Sequence, residues 1–591
     1  MNLYVHLASF ILGIALLPSV SHASTTVAVR NQVDFDSLSA RLISLLQSGE
    51  SDILVTLEPG VYVAKESHLS LSGIKCPDTS LRFYSSGVVI VPEGKEYRNG
   101  DLYMGDFSIN NSWMNGFEDV KTWTDIRYAD GLVEVLDEES KKCRLKSRET
   151  VSQRIDCQYS YILIPHWYRS SVYKIDKYEN GYVYFIADDL VKSSSGKYNI
   201  NDDYNRERSG IRYKLSNVET GENYLRVVNG IVRLPKGVDS AREGVVNRVL
   251  VINNCLFKLL EISGFEFCGN SFSESKAYIT VRNTKCETVL IHNCSFNGMR
   301  GSVISVVASS NVRVENNSFK DCYSSGIKSN NASQGTVIKN NRFESMGKWM
   351  NNTWSIFCQG EDYQVSGNTL IDFGYGGVGT GVWYKGTKNN PCSGVIERND
   401  LCYSDDYLAN IDNFATMDSG AIYVQTKNDN VVIKNNYIHG YSGISSNRGI
   451  FCDDGAYNVQ VYGNVVLGIE NSSSIESRRV ASVEKSITPE SGIERSNINV
   501  VIRDNVVDRR IRFVGNEKRD NGCVKGRNYY LVYPGKIRPL PIYQNFSEKQ
   551  KDVYIDVNAV KTDGRIKVSS SSRHALSHSS AWPILRSILT P

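Results

Sequence analysis

The amino-acid sequence predicts an all-β fold, a right-handed parallel β-helix (a solenoid) that carries an inserted small all-β module. Three observations support this prediction: a six-residue phrase of the form apolar-x-x-Asn-x-apolar recurs, its first copies are almost evenly spaced, and short runs of alternating apolar and polar residues precede it. A fixed period of a few tens of residues is typical of solenoids, and the alternation is that of β-strands.

The phrase occurs eight times, and in a ninth copy Cys replaces the Asn. The copies are centred on Asn254, Cys294, Asn317, Asn341, Asn368, Asn399, Asn436, Asn464 and Asn505. The spacing is 23 and then 24 residues from Cys294 to Asn341, and it widens to 27, 31, 37, 28 and 41 residues after that. Asn suits a bend between two strands because its amide can bond along the stack and it tolerates left-handed backbone. The widening indicates bends that have grown into loops, where binding chemistry usually lies.

Residues 1–23 predict a signal peptide. The apolar stretch 8–17 is too short to span a bilayer, and Ser21 and Ala23 are small residues at the expected cleavage site. We therefore expect a secreted or periplasmic protein. No other segment has the length and apolar composition of a membrane helix.

The rest of the chain divides into four segments. Residues 24–94 predict an N-terminal cap and the first coils, with the amphipathic segment 34–46 covering the open end of the solenoid. Residues 95–247 break the period but keep alternating strands, which indicates an inserted β-rich module. Residues 248–508 predict the main β-helix. Residues 509–591 turn basic and Ser-rich, and we expect an irregular, partly disordered C-terminal region.

Composition argues against several other functions. The net charge is only +3, and no basic run is interleaved with aromatic residues, so no nucleic-acid partner is expected. The 13 Cys residues include no Cys-x-x-Cys pair, so neither a zinc site nor another cofactor is predicted. Whether any of the Cys residues form disulfides is left open.

The strands ahead of the Asn phrases predict two columns of outward-facing side chains. The aromatic column contains Lys328, Phe357, Trp383, Tyr423 and Phe451, and the polar column contains Asn330, Gln359, Lys385, Gln425 and Asp453. Neighbours in a column stand roughly 4.8 Å apart. Aromatic faces beside amides, a cation and a carboxylate suit a polysaccharide or oligosaccharide. The predicted substrate-binding residues are Trp383, Tyr384, Lys385, Tyr423, Gln425, His439, Arg448 and Phe451. The alternative is that loops cover these aromatic residues and that they belong to the core.

Acidic residues on two consecutive coils are the catalytic candidates. Asp418 precedes one outward strand, and Asp453 and Asp454 follow the next. Cleavage of a glycosidic bond requires one carboxyl group that protonates the leaving oxygen and a second that attacks or activates water. The alternative is that Asp418 and Asp454 only form bends, as Asp often does.

Three phrases carry a family resemblance: residues 418–423 (Asp-Ser-Gly-Ala-Ile-Tyr), residues 436–439 (Asn-Tyr-Ile-His) and residues 449–454 (Gly-Ile-Phe-Cys-Asp-Asp). They resemble bacterial right-handed parallel β-helix glycoside hydrolases of the pectin-lyase-like superfamily, over roughly residues 250–510. The resemblance implies a glycosidase in which Asp418 and Asp453 form the catalytic pair, with Asp454 as the reserve candidate. Phe451 and Cys452 stand where Tyr-Leu is usual, which leaves the subfamily open.

Two other functions stay open. A Ca²⁺-dependent polysaccharide lyase acting on uronate-containing glycans would need acids that hold Ca²⁺, such as Asp405, Asp406 and Asp412, and a basic residue such as Arg448. A non-catalytic glycan-binding or surface protein would keep the two columns and would not need paired acids.

Overall fold

The computed structural model describes most of the solenoid and parts of the insertion. The described residues are 24–98, 123–127, 134–137, 139–146, 161–165, 170–187, 190–192, 198–200, 212–216, 226–228, 231–233, 240–244, 248–269, 277–299, 301–322, 324–330, 332–347, 353–381, 392–405, 419–424, 428–440, 448–453, 455–469, 472–478, 499–514, 523–534, 542–543, 547–548, 552–560 and 566–590. The predicted signal peptide lies outside them, so its cleavage stays a prediction.

Each coil has three short strands, which stack in parallel on those of the next coil and form three faces. We call the 12-stranded face the front sheet. Its strands are Leu69–Ser72, Leu250–Asn253, Ala277–Arg282, Ser302–Val307, Ile327–Ser329, Trp354–Phe357, Gly376–Thr380, Gly420–Val424, Arg448–Cys452, Ile475–Arg478, Ile511–Val514 and Ile542–Tyr543. This parallel stacking confirms the predicted β-helix.

The other two faces bend into each other and together form a 27-stranded sheet. The first flank precedes the Asn bend and contains Thr25–Val29, Asp52–Leu57, Thr288–His292, Val312–Glu315, Val337–Lys339, Tyr363–Ser366, Cys392–Glu397, Asn428–Lys434, Val459–Tyr462, Val501–Arg503, Val524–Lys525 and Ser547–Glu548. The second flank follows the bend and contains Gly60–Ala64, Ser295–Asn297, Ser318–Lys320, Arg342–Met346, Thr369–Phe373, Asp400–Cys402, Tyr437–His439, Val465–Val466, Val506–Val507, Tyr529–Val532 and Val553–Val560, and the sheet ends with Ile566–Val568 and Leu589–Thr590. Lys75–Pro92 and Leu256–Cys268 run through both flanks.

The described strands between residues 94 and 244 pair antiparallel. Seven of them form one sheet in the order Trp123–Arg127, Arg212–Ser216, Tyr161–Pro165, Ser170–Glu179, Tyr182–Ile186, Lys142–Lys146 and Glu134–Asp137. Three separate pairs join Leu190–Lys192 to Tyr198–Ile200, Arg226–Val228 to Ile231–Arg233, and Gly94–Arg98 to Ser240–Gly244.

Helices lie near both ends of the described chain. Gln32–Asp36 and Leu38–Gln47 bury Phe35, Leu38, Leu42 and Leu46 in the same core cluster as the first coils. Helix Leu38–Gln47 also contacts the first strand of the front sheet. Two further helices, Ser570–Ser577 and Trp582–Ile588, pack with the last coils.

The C-terminal region differs from the sequence prediction. Parallel strands continue past residue 508, where the prediction ended the main β-helix, through Tyr529–Val532 to Val553–Val560. Residues 509–591 are therefore not irregular throughout. The repeat was hidden because its Asn phrase here reads Lys525-Gly526-Arg527-Asn528-Tyr529, with Lys525 at the apolar position. The buried Lys525 ammonium lies 2.7 Å from the Asp552 carboxylate, which compensates its charge.

Inward-facing residues stack in columns along the solenoid. On the second flank, four aromatic rings lie face to face, with centroids 5.0, 4.8 and 4.5 Å apart from Phe267 through Phe296 and Phe319 to Phe343. Buried thiols fill other inward positions. Burial raises the pKa of Cys294 to about 12, so this thiol stays neutral and packs as a small apolar group.

The Asn side chains stack along the bend between the two flanks. The backbone N–H and the Nδ2 of Asn317 both donate to Oδ1 of Asn341, at 2.9 and 3.0 Å, and Asn341 donates in the same way to Asn368. The ladder continues through Asn399, Asn436, Asn464 and Asn505 to Asn528. This confirms the predicted column from Asn317 to Asn505.

Two details of the bend differ from the prediction. The left-handed residue is the one before the ladder Asn, for example Asn340 with φ of 55°, so the ladder Asn itself supplies hydrogen bonds. The copy at Asn254 lies outside the ladder, because its strand Leu250–Asn253 belongs to the front sheet. At Asn254 the Asn itself is left-handed, with φ of 55°, so the same phrase occurs at two different bends.

Replacement of Asn341 by Leu should lower the free energy of unfolding by roughly 1–3 kcal/mol, because it leaves buried donors and acceptors of two coils unpaired. Gln334→Leu, on an exposed bend residue, is the control and should change stability little. Chemical denaturation of both variants measures the difference. Equal stability of Asn341→Leu and the wild type would contradict a structural role for the ladder.

Candidate active site on the front sheet

Strand pairing fixes the outward aromatic column. Lys328, Phe357, Gly379, Tyr423, Phe451, Glu476 and Arg512 occupy equivalent positions on successive strands. The predicted column is wrong at Trp383, because Val378 takes the inward position and Gly379 the outward one. The motif alignment shifted by one strand length beside the widened bend. Trp383, Tyr384 and Lys385 lie outside the described residues, so their contact with a substrate stays a prediction.

The described aromatic side chains form a buried cluster instead of an exposed stacking face. Tyr423 is 3% exposed and Phe451 is 0% exposed, and both pack with Trp354 and Tyr375. The Trp354 ring lies against Gly379, where a Cβ atom would come within 2.7 Å of the indole. The alternative reading, burial, therefore holds for Tyr423 and Phe451. This aromatic cluster packs next to the polar side chains Asp453 and Glu476.

Asp453 lies next to the aromatic cluster and contacts its Tyr423. It directly follows the strand Arg448–Cys452 and is 6% exposed. The Tyr423 hydroxyl donates a hydrogen bond to its Oδ2 at 2.5 Å, and Arg478 Nη1 lies 3.8 Å from its Oδ1. A hydrogen-bond donor and a nearby cation both favour the ionised carboxylate.

Glu476 is a second buried carboxylate on this face, and the sequence analysis missed it. It is 2% exposed and lies on the next coil, in register with Phe451. Arg448 Nη2 donates to its Oε1 at 3.3 Å, the Ser473 hydroxyl donates to its Oε2 at 3.3 Å, and Arg512 Nη1 lies 3.7 Å away. Aligning the next strand of the front sheet with Arg448–Cys452 would have placed Glu476 opposite Phe451, in the outward column.

Asp453 and Glu476 point to the same side of the front sheet. Asp453 stands two residues beyond Phe451 on one strand, and Glu476 pairs with Phe451 on the neighbouring strand. Strand rise and spacing then put their Cα atoms roughly 8 Å apart. Two side chains that start this close on one face can bring their carboxyl groups to either side of a glycosidic bond, as its cleavage requires.

The predicted partners Asp418 and Asp454, and the amide of Gln425, lie outside the described residues. Ser419, which follows Asp418, accepts the Arg448 N–H at the start of the paired strands, whereas the Asp453 N–H donates to Val424 at their end. Ser419 and Asp453 therefore mark opposite ends of one strand pair.

Arg448 and His439 are described, and they lie on different faces. The Arg448 guanidinium lies 4.2 Å above the Phe451 ring centroid and joins the Glu476 cluster. The strand Tyr437–His439 belongs to the second flank, where His439 Nε2 is 3.0 Å from Asp400 and its ring stacks on Tyr437. His439 therefore lies on the second flank and not on the front sheet with Tyr423 and Phe451, and its contact with a substrate stays a prediction.

Of the acids proposed for a Ca²⁺ site, Asp405 is exposed, and Asp406 and Asp412 lie outside the described residues. Within the described part of the chain, no group of three His, Cys, Asp or Glu side chains could hold a metal ion. No described helix is long and apolar enough to cross a membrane.

Comparison with known proteins agrees with this architecture. Residues 247–390 match the family model described as the right handed beta helix region. The chain contains a right-handed parallel β-helix. None of the curated proteins compared with it matches.

Solved structures with a similar fold share little sequence with this β-helix. One, titled "Glycoside hydrolase", has a TM-score of 0.50 at 9% identity and covers 93% of this chain and 100% of its own. A complex of XylC with xylose has a TM-score of 0.34 at 9% identity, covering 89% of this chain and 86% of its own. An alginate lyase from Paenibacillus sp. has a TM-score of 0.25 at 10% identity, covering 51% and 90%. At 9% identity, the likeness to the first of these structures shows the fold alone.

Proposed function

We propose that this β-helix protein is an exported glycoside hydrolase that cleaves a glycosidic bond in a complex polysaccharide on its front sheet. The observation that carries the proposal is the pair of buried carboxylates, Asp453 and Glu476, on the same face of consecutive coils. Burying carboxylates is costly even beside arginines, and a fold that needed only packing would place apolar residues there.

The surroundings of Asp453 suit one of the two roles. Asp453 accepts the Tyr423 hydrogen bond and lies near Arg478, which suits an ionised nucleophile or base. The remaining role, protonation of the leaving oxygen, falls to Glu476. Arg448 and Ser473 fix the orientation of the Glu476 carboxyl group.

Asp418 and Asp454 remain candidates from the sequence phrases. The resemblance to β-helix glycoside hydrolases favours Asp418 as the partner of Asp453, and Glu476 is the described acid that shares its face. Asp418→Asn and Asp454→Asn therefore belong in the same mutational series. If Asp418→Asn, and not Glu476→Gln, abolishes cleavage, Asp418 is the partner.

The activity is tested by incubating the protein with a panel of plant and host polysaccharides, with and without a Ca²⁺ chelator. New reducing ends and the ultraviolet absorbance of unsaturated sugar ends are followed in parallel. A glycoside hydrolase produces reducing ends without unsaturated products, and chelation leaves the rate unchanged. Unsaturated ends that require Ca²⁺ would establish a lyase instead, and binding without cleavage of any glycan would support a non-catalytic surface protein.

A further inference from the structure

We infer that Tyr423 is a positioning residue that keeps Asp453 ionised and fixes the direction of its carboxylate. This inference rests on the proposed function for its catalytic consequence, and on the described contacts for its physical basis. The decisive contact is the hydrogen bond that the Tyr423 hydroxyl donates to Asp453 Oδ2 across two neighbouring strands.

The tyrosine ring has little freedom to move. It packs edge-on against Phe451 with centroids 5.3 Å apart, and against Trp354 at 5.2 Å. Gly379 precedes it in the same column and leaves room for the Trp354 ring. The packed neighbours therefore hold the Tyr423 hydroxyl in place. Little further side-chain entropy is lost when this hydroxyl bonds to the ionised Asp453.

The hydrogen bond fixes the orientation of the carboxylate group. Oδ2 is engaged by Tyr423, and Oδ1 faces the Arg478 side. A nucleophile or base needs one oxygen oriented toward the reacting atom, held by a support on the other oxygen. Tyr423 supplies this support from the neighbouring coil.

The charged and titratable groups around Asp453 set the direction of the effect. Arg478 favours the carboxylate, whereas Glu476 on the neighbouring strand disfavours it. Burial raises the pKa of the Cys452 thiol, which therefore adds no charge. A donor to the ionised form lowers the pKa of a carboxyl group, so loss of the Tyr423 hydroxyl should raise the pKa of Asp453.

The test is Tyr423→Phe, which removes the hydroxyl and keeps the ring. Tyr375→Phe is the matched control, because Tyr375 packs in the same aromatic cluster. Protein labelled with ¹³C at the aspartate carboxyl groups is titrated by NMR, and Asp453→Asn identifies the Asp453 signal. Hydrogen bonds to charged groups are worth about one to two pH units, so the Asp453 titration should move up by that amount in Tyr423→Phe and stay in place in Tyr375→Phe.

Activity gives the second readout. An essential carboxylate loses activity as the pH falls through its pKa, so the acidic limb of kcat against pH should move up together with the NMR titration. An unchanged Asp453 titration in Tyr423→Phe would overturn the inference, whether or not a glycan is cleaved. A shifted titration with an unmoved acidic limb would also overturn it. Failure of the proposed function is read separately, from wild-type protein that cleaves no glycan of the panel.

Discussion

Replacement of Asp453 by Asn should reduce kcat on the best glycan substrate by about a thousandfold or more. The amide keeps the size of the side chain and can still accept the Tyr423 hydrogen bond, but it cannot attack as a nucleophile or remove a proton from water. Steady-state rates on the substrate identified from the panel measure the loss. The melting temperature should remain close to that of the wild type.

Asp362→Asn is the matched control for this substitution. Asp362 is exposed on a bend, in the left-handed conformation that Asn also tolerates, so its replacement should leave both rate and stability unchanged. Full activity of Asp453→Asn would contradict the proposed site. A large loss of melting temperature would instead indicate that Asp453 is mainly a structural ion-pair partner of Arg478.

Replacement of Glu476 by Gln should lower kcat by about 10²- to 10⁴-fold on natural glycans, the usual range for loss of an acid–base group. The loss should shrink on aryl glycosides with good leaving groups, because such groups depart without a proton. Asp453→Asn should stay slow on both kinds of substrate, since attack or water activation is still needed.

Glu361→Gln, at an exposed bend, is the control for Glu476→Gln and should behave as the wild type. Equal losses of Glu476→Gln on natural and activated substrates would contradict the proton-donor role. They would point to a role in holding Arg448 and Arg512 around the site.

The regular part of the fold was predictable from the sequence because each coil repeats the same strand and bend, with the same residue types at the same positions. The Asn at the bend bonds to its equivalent on the next coil, so its position recurs in every copy from Asn317 to Asn505. The inward positions Ile356, Ile422 and Ile450 of the front sheet were also readable, since all three are fully buried, although Val378 fills the position between the first two. The sequence period is enough to predict contacts in which a side chain stacks on the side chain at the same position of the next coil.

The candidate site was only partly predictable, because it lies where the period fails. Asp453 was found from its phrase and from the alternation of inward and outward residues. The same alternation gave the wrong outward residue at Trp383, next to a widened bend, where Gly379 takes that position. Glu476 has no phrase of its own, and its significance comes from the neighbours Arg448, Ser473 and Arg512, which lie far apart in the sequence. Burial of Tyr423 was also hidden, since sequence alternation distinguishes the two sides of a strand without showing what covers them.

The double variant Asp453→Asn with Glu476→Gln tests most directly whether the two acids act as one catalytic site. Residues that serve a single reaction are strongly non-additive, so kcat of the double variant should be close to that of the slower single variant. Two acids with independent structural roles would instead give losses that multiply, and the melting temperature would fall in step with the rate. A double variant whose loss of kcat relative to the wild type equals the product of the two single losses would contradict a shared site on the front sheet.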